Sequence, residues 1–209
     1  MDWNLYDVVH LLMRWMHVIA GITWIGHLYF FNFVNVPLQA ALDDAGKKAL
    51  GTKLMTRALW WFRWGAMLTL LAGLWLFVQI YMYSPEMGFG TNRAIMYESE
   101  GGISGRALWI MIGMTLGIIM WFNVWFIIWP TQKKILGGQS PAEALPGLRR
   151  RAYLTSRTNT YLSAPMLFCM LAPSHYGAFG WVTFLVFALI GVALIAHAIM
   201  FSPKVGTSI

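Results

Sequence analysis

The stretch Arg14-Trp15-Met16-His17-Val18-Ile19-Ala20-Gly21-Ile22-Thr23-Trp24-Ile25-Gly26-His27 decides how the chain is read. It reads as one apolar helix, yet it contains an arginine and two histidines. An ionisable side chain in hydrocarbon is costly and marks a functional site unless something else explains it. Neutral imidazole is a standard axial ligand of haem iron, which makes haem the favoured explanation. A histidine hydrogen-bonded between packed helices is the plain alternative.

Composition sets the frame. Of 209 residues, 58% are hydrophobic and 11% charged, with a mean hydropathy of +0.59. Soluble domains carry about 25% charged residues. The chain is therefore read as an all-α, polytopic membrane bundle, with residues 1–209 forming a single membrane domain. The one cysteine, Cys169, excludes a disulfide framework, and the absence of Cys-x-x-Cys-His excludes covalently attached c-type haem. The N-terminus lacks the basic region of a secretory signal, so the first apolar segment is expected to be retained. There is no phosphate-binding loop or dinucleotide fingerprint, and nothing points to nucleic acid.

Five apolar segments are long enough to cross a bilayer, near Val8–Val36, Leu59–Tyr83, Ala107–Trp129, Thr155–Leu171 and Phe179–Phe201. The first connection holds Lys47, Lys48, Lys53 and Arg57, and the third holds Lys133, Lys134 and Arg149–Arg151. The second holds Glu86, Glu98 and Glu100 against Arg93 and Arg106. Counting Lys and Arg, connections one and three are cytoplasmic and connection two external. The N-terminus is then outside and the C-terminus, with Lys204, cytoplasmic. The net charge of +7 is thus first a topology signal, and Arg149–Arg151 are expected at anionic lipid headgroups. Trp3, Tyr6, Trp60, Trp61, Tyr81, Tyr83, Trp129, Tyr176 and Trp181 fall where an interfacial belt belongs. Arg63 and Arg157 are read as snorkelling to the headgroups. Gly113 and Gly117 on the third span, with Gly65 and Gly73 on the second, permit close helix contact or room for a flat macrocycle. The Gly-rich second connection is expected to be a docking surface or mobile. A short helix is expected after Pro141.

The five histidines are His10, His17, His27, His175 and His197. At about 100° per residue, His10 and His17 share a face, and His27 is rotated by about 80° and lies about 15 Å deeper. With midpoints near residues 21 and 190, His27 and His197 both lie about 10 Å toward the cytoplasm, and His17 about 6 Å to the outside. One haem would take His27 and His197. A second would take His17 with His175, Met170 or His10. Arg14 is placed to pair with a haem propionate. A copper or zinc site on His10 and His175 is the rival chemistry. The acidic residues are confined to loops and the N-terminus, so no carboxylate pair offers a proton relay or acid–base site.

Arg14 to Gly26 resembles the opening of the bacterial urate oxidase (urate hydroxylase) N-terminal membrane-domain family. Asn159-Thr160-Tyr161-Leu162-Ser163-Ala164-Pro165, followed by Met166-Leu167-Phe168 and His175-Tyr176, is similar to a second block of that family. His17 with Trp24 and Gly26 more distantly resembles the haem-binding membrane protoporphyrinogen oxidase and copper-resistance membrane proteins. The resemblance implies a helical bundle in the bacterial inner membrane, b-type haem, and redox work coupled to a cytochrome c. It carries over onto His17 and His175, and not onto His27. Family members have more helices and a C-terminal cytochrome c domain, so the partner of this chain is expected to be a separate protein.

The leading expectation is an electron-transfer protein binding one or two b-type haems, serving a periplasmic c-type cytochrome or other respiratory-complex subunits. His17 and His197 come first as iron ligands, then His175 and His27. An oxidase of the urate- or protoporphyrinogen-oxidising type is the second class. Its substrate would have to be held by Arg14, Asn32, Asn35, Gln79 and Asn123. A haem-free accessory subunit, packed against a partner's helices, is the third.

Overall fold

The computed structural model describes residues 4–98, 101–138, 140–176 and 178–207. Trp3 of the expected belt and Glu100 of the second connection lie outside the described residues. Five long helices account for most of the chain: α1 Leu5–Ala41, α2 Asp44–Tyr81, α3 Gly105–Leu136, α4 Leu145–His175 and α5 Trp181–Lys204. Four of them, α1, α2, α3 and α5, are long and apolar enough to cross a membrane. In α4 the basic first turns and a run of polar residues dilute an apolar second half. The chain is an all-helical, multi-pass membrane bundle.

The helices overrun the spans expected from hydropathy, because a helix need not stop where the bilayer does. Helix α2 starts fifteen residues early, where the Asp43 carboxylate caps it by accepting from Gly46 N–H at 2.8 Å. A 3₁₀ turn at Ala142–Ala144 leads into α4, the short helix expected after Pro141. Pro146 then sits in the first turn of α4, where a missing N–H costs nothing. The connections of α1 to α2 and of α3 to α4 share one end of the bundle with their lysines and arginines, here called the basic end. At the opposite end, in the α2–α3 connection, Tyr83–Ser84 pairs antiparallel with Gly88–Phe89, and a helical turn follows at Arg93–Met96. Its glycines serve this geometry, since Gly88, Gly101 and Gly102 adopt φ of 74°, 93° and 94°.

Small residues set the close helix contacts. A Cβ on Gly65 would stand 3.1 Å from Trp24 N, and one on Gly73 would stand 2.9 Å from His17 Cε1, so these two glycines seat α1 on α2. A Cβ on Gly113 would stand 2.9 Å from Cys169 Cβ across α3 and α4, and one on Gly191 would stand 2.8 Å from Ala164 Cβ across α4 and α5. Gly117, the other half of the expected pair, faces open space. Among the described residues, helix α5 packs against α4 and meets α1 chiefly around Phe30–Asn35.

Both α1 and α3 widen into π-helix just before a proline, at Phe30–Asn35 before Pro37 and at Asn123–Ile128 before Pro130. A proline ring clashes with the carbonyl four residues back and leaves it without a donor. In the wider turns Val36 N–H reaches Phe31 O and Trp129 N–H reaches Val124 O, five residues back in each case.

The asparagines that these turns carry meet α4. Asn32 Nδ2 donates to Ser156 Oγ at 2.9 Å, and Asn123 Nδ2 donates to Asn159 Oδ1 at 2.7 Å. Asn159 Nδ2 donates to Met120 O at 2.9 Å. Tyr29 Oη and Ser163 Oγ lie 2.9 Å apart, and Ser163 donates to Thr160 O. Asn159, Thr160 and Ser163 are wholly buried. The residues Ser156, Asn159, Thr160 and Ser163 thus form a polar stripe on α4 that sews it to α1 and α3. The Asn159→Ala variant should lose about 1–3 kcal/mol, since it strands the Asn123 amide and removes the side-chain donor that Met120 O has besides Asn123 N–H. Gly113→Ala should cost a similar amount through overpacking. Gly117→Ala should melt at or slightly above the parent temperature. Thermal melts of the three variants in one detergent, followed by circular dichroism, test this ranking.

Candidate functional site

The histidines do not form one cluster. Among the described residues, no group of three or more His, Cys, Asp or Glu side chains is arranged to hold a metal ion. Each ring has its own surroundings, and these differ in what they leave available.

His17 lies on the buried stripe of α1 that continues through Ala20, Trp24, Leu28 and Phe31. Its Nδ1 donates to Thr69 O on α2 at 2.9 Å. A carbonyl only accepts, so this bond places the proton on Nδ1 and the lone pair on Nε2. Nε2 has no hydrogen-bond partner among the described residues. Thr69 itself is held by its hydroxyl, which donates to Gly65 O at 2.7 Å. The sequence places Gly65, Thr69 and Gly73 at four-residue spacing on one face of α2, and this face receives the ring.

His27 is half-buried, and its Nδ1 donates to Thr23 O one turn earlier at 2.7 Å. Its Nε2 is likewise left as an acceptor. The Thr23 carbonyl fixes this tautomer, while its hydroxyl donates to Ile19 O. His27 lines a groove of about 550 Å³ between α1 and α2, together with Thr23, Gly26, Arg57 and Trp61.

The other three histidines are committed elsewhere or open. Arg14 Nη2 donates to His10 Nε2 at 3.2 Å, which occupies the lone pair that a copper or zinc ion would need. The same contact turns Arg14 along its own helix. His175 is exposed at the end of α4. His197 is exposed on α5 and stacks on Phe201, with centroids 5.7 Å apart and planes at 17°. Because α5 meets α1 chiefly near Phe30–Asn35, His197 shares a bundle end with His27 but not an interface with His17. Met170 packs into the α3–α4 contact, where its Cε would meet a Cβ on Gly113 at 3.2 Å.

The polar residues available to a substrate divide in two. Asn32, Asn35 and Asn123 lie in the π-helical turns facing or near α4. Gln79 closes the opposite end: its Nε2 donates to Tyr6 O, its Oε1 accepts from Trp75 Nε1, and its carbonyl accepts from Tyr6 Oη. Sequence reasoning missed Tyr29, Ser156, Thr160 and Ser163. The signal was present as Ser156, Asn159, Thr160 and Ser163 recurring at helical spacing on one face of α4.

The two inner arginines behave differently. Arg157 leans toward the basic end, with Nη2 donating to Tyr153 Oη at 2.9 Å, while its Nε and Nη1 are buried without a partner among the described residues. Arg63 instead lies over the Trp129 ring at 3.9 Å, a cation–π contact between α2 and α3.

The family model described as urate oxidase N-terminal matches residues 4–55 and 89–204. The match takes in all five histidines, the π-helical turns of α1 and α3 and the polar stripe of α4. It omits 56–88, which contains Thr69 and Gly73, the two residues that hold His17. No similar protein was found among curated proteins, and no similar fold among solved structures. On a match that spans most of its length, this chain belongs to the urate oxidase N-terminal family.

Proposed function

We propose that this chain is a b-type haem protein of the bacterial inner membrane that carries electrons, exchanging them with a periplasmic c-type cytochrome or a larger respiratory complex. One observation carries the reading: the His17 ring is clamped between Thr69 O and Gly73 with its Nε2 lone pair uncommitted. A metal-binding imidazole is typically oriented in this way, by a backbone carbonyl on the nitrogen that does not bind. An imidazole that served packing alone would be cheaper to replace by an apolar ring.

The residues present fit a haem at His17. The imidazole would bind the iron, Thr69 O would hold its orientation, and Gly73 would leave room for its edge. Arg14, one turn away, is the nearest cation on α1 for a propionate, released from His10. Bound there, haem would supply one-electron redox chemistry whose potential depends on the axial ligands and on burial. A second protein ligand would come from His175, the exposed imidazole at the end of α4.

Family membership favours one further reading, a membrane oxidase of the urate-oxidising type. Urate turnover by the purified protein with added cytochrome c would support it.

The purified protein should show a b-type α-band in a reduced-minus-oxidised spectrum. His17→Ala should abolish or shift that band, while the protein keeps its helical circular dichroism. Alanine at His175 should change the same band, whereas alanine at His197 should leave it as in the parent. No band in protein supplied with haem, or a band unchanged in His17→Ala, would overturn the proposal.

A further inference from the structure

Two furrows run along the same side of the α1–α2 pair. The one at the basic end, of about 550 Å³, is lined by His27 and Arg57 among apolar residues. The other, of about 480 Å³, continues toward the opposite end as far as Leu12 and Leu68. Thr23 and Trp61 line both, so the two form one continuous channel. From His27 to Leu12 it covers about 22 Å of helix, at 1.5 Å per residue. Its rim is lipid-facing: Ile22 is 69% exposed and Trp61 is 56% exposed.

Such a channel fits an amphiphile with a compact head at the basic end and a long apolar tail. The head is specified by hydrogen bonding. His27 Nδ1 is spent on Thr23 O, so Nε2 can only accept, and the head must offer a donor. Arg57 can only donate, so the head must also offer an oxygen acceptor. A phosphodiester offers acceptors alone and leaves His27 unmatched. An ethanolamine headgroup offers both, but it carries an ammonium. With the bilayer midplane at Gly21, His27 lies about 9 Å from it, some 6 Å inside the hydrocarbon. A charged ammonium is costly at that depth, and a neutral hydroxyl is not.

We infer that this channel binds a lipid-soluble hydroquinone. One ring hydroxyl donates to His27 Nε2, a ring oxygen accepts from Arg57, and the isoprenoid tail runs along the tryptophan-lined furrow. This rests on the redox reading above and deepens it, because a hydroquinone is the class of electron carrier that the bilayer itself supplies.

The test uses the full chain in nanodiscs, with decylubiquinol as the probe and quenching of the furrow tryptophans as the readout. Quenching should saturate. His27→Phe, which keeps the ring and removes the acceptor, should weaken binding about tenfold, the loss of one hydrogen bond. Ile22→Trp should block the furrow without disturbing the α1–α2 contact. The inference is overturned if quenching fails to saturate, as a groove holding bilayer lipid only would give, or if both variants bind like the parent. The haem spectrum is recorded on the same samples. A normal α-band without saturable binding sinks this inference alone, whereas saturable binding without an α-band sinks the haem proposal and leaves the channel standing.

Discussion

Inside a bilayer, a polar group must find its partner within the protein, and most of this structure follows from that constraint. The two prolines near the basic end break the backbone ladder of α1 and α3. Just before each proline the helix widens into a π turn. Those same turns carry Asn32, Asn35 and Asn123, whose side chains are polar in a setting that cannot hydrate them. Asn32 and Asn123 are satisfied by the polar stripe of α4. The backbone defect and the polar seam are therefore one feature seen twice.

The magnitudes explain why glycine does as much as hydrogen bonding. Interhelical hydrogen bonds in membranes average only about 0.6 kcal/mol, because the separated helices also find partners. They select which faces meet more than they drive the meeting. Dispersion contact has to supply the rest, and it requires backbones to approach closely. Gly65, Gly73, Gly113 and Gly191 each stand where a methyl group would collide with the next helix. The α1–α2 and α3–α4 pairs are close on this account, and α5 hangs on α4 through Gly191 and the stacked rings of Phe168 and Phe187 at 4.5 Å.

Much of this was legible in the sequence. Apolar runs gave the five helices, and the Lys and Arg distribution gave the shared end of two connections. The helix ends were not legible from hydropathy, which reports the bilayer rather than the ladder. Depth matching of the histidines treated the helices as parallel neighbours. It could not know that α5 would pack on α4 and meet α1 chiefly near Phe30–Asn35. The partners of the imidazoles were hidden for another reason. His17 is held by a carbonyl, and a carbonyl belongs to every residue, so no side-chain pattern announces Thr69. The stripe on α4 could have been found, since its polar residues recur at three- and four-residue spacing.

The accessory-scaffold reading has to explain why α1 keeps an imidazole on its buried stripe at all. A Leu or Phe at His17 would pack against α2 without a desolvation cost and without requiring Thr69 O as a partner. The scaffold gains little from the bond, given the small worth of such contacts in lipid. What the bond does accomplish is orientation: it fixes one tautomer and turns the other nitrogen away from its partner carbonyl. His27 repeats the device one heptad and a half further along the helix, with a carbonyl of its own helix. Two imidazoles on one helix, each with the donor nitrogen tied down and the acceptor nitrogen left over, serve an acceptor's purpose. Packing has no use for an uncommitted lone pair, whereas a metal ion or a hydroxyl proton does.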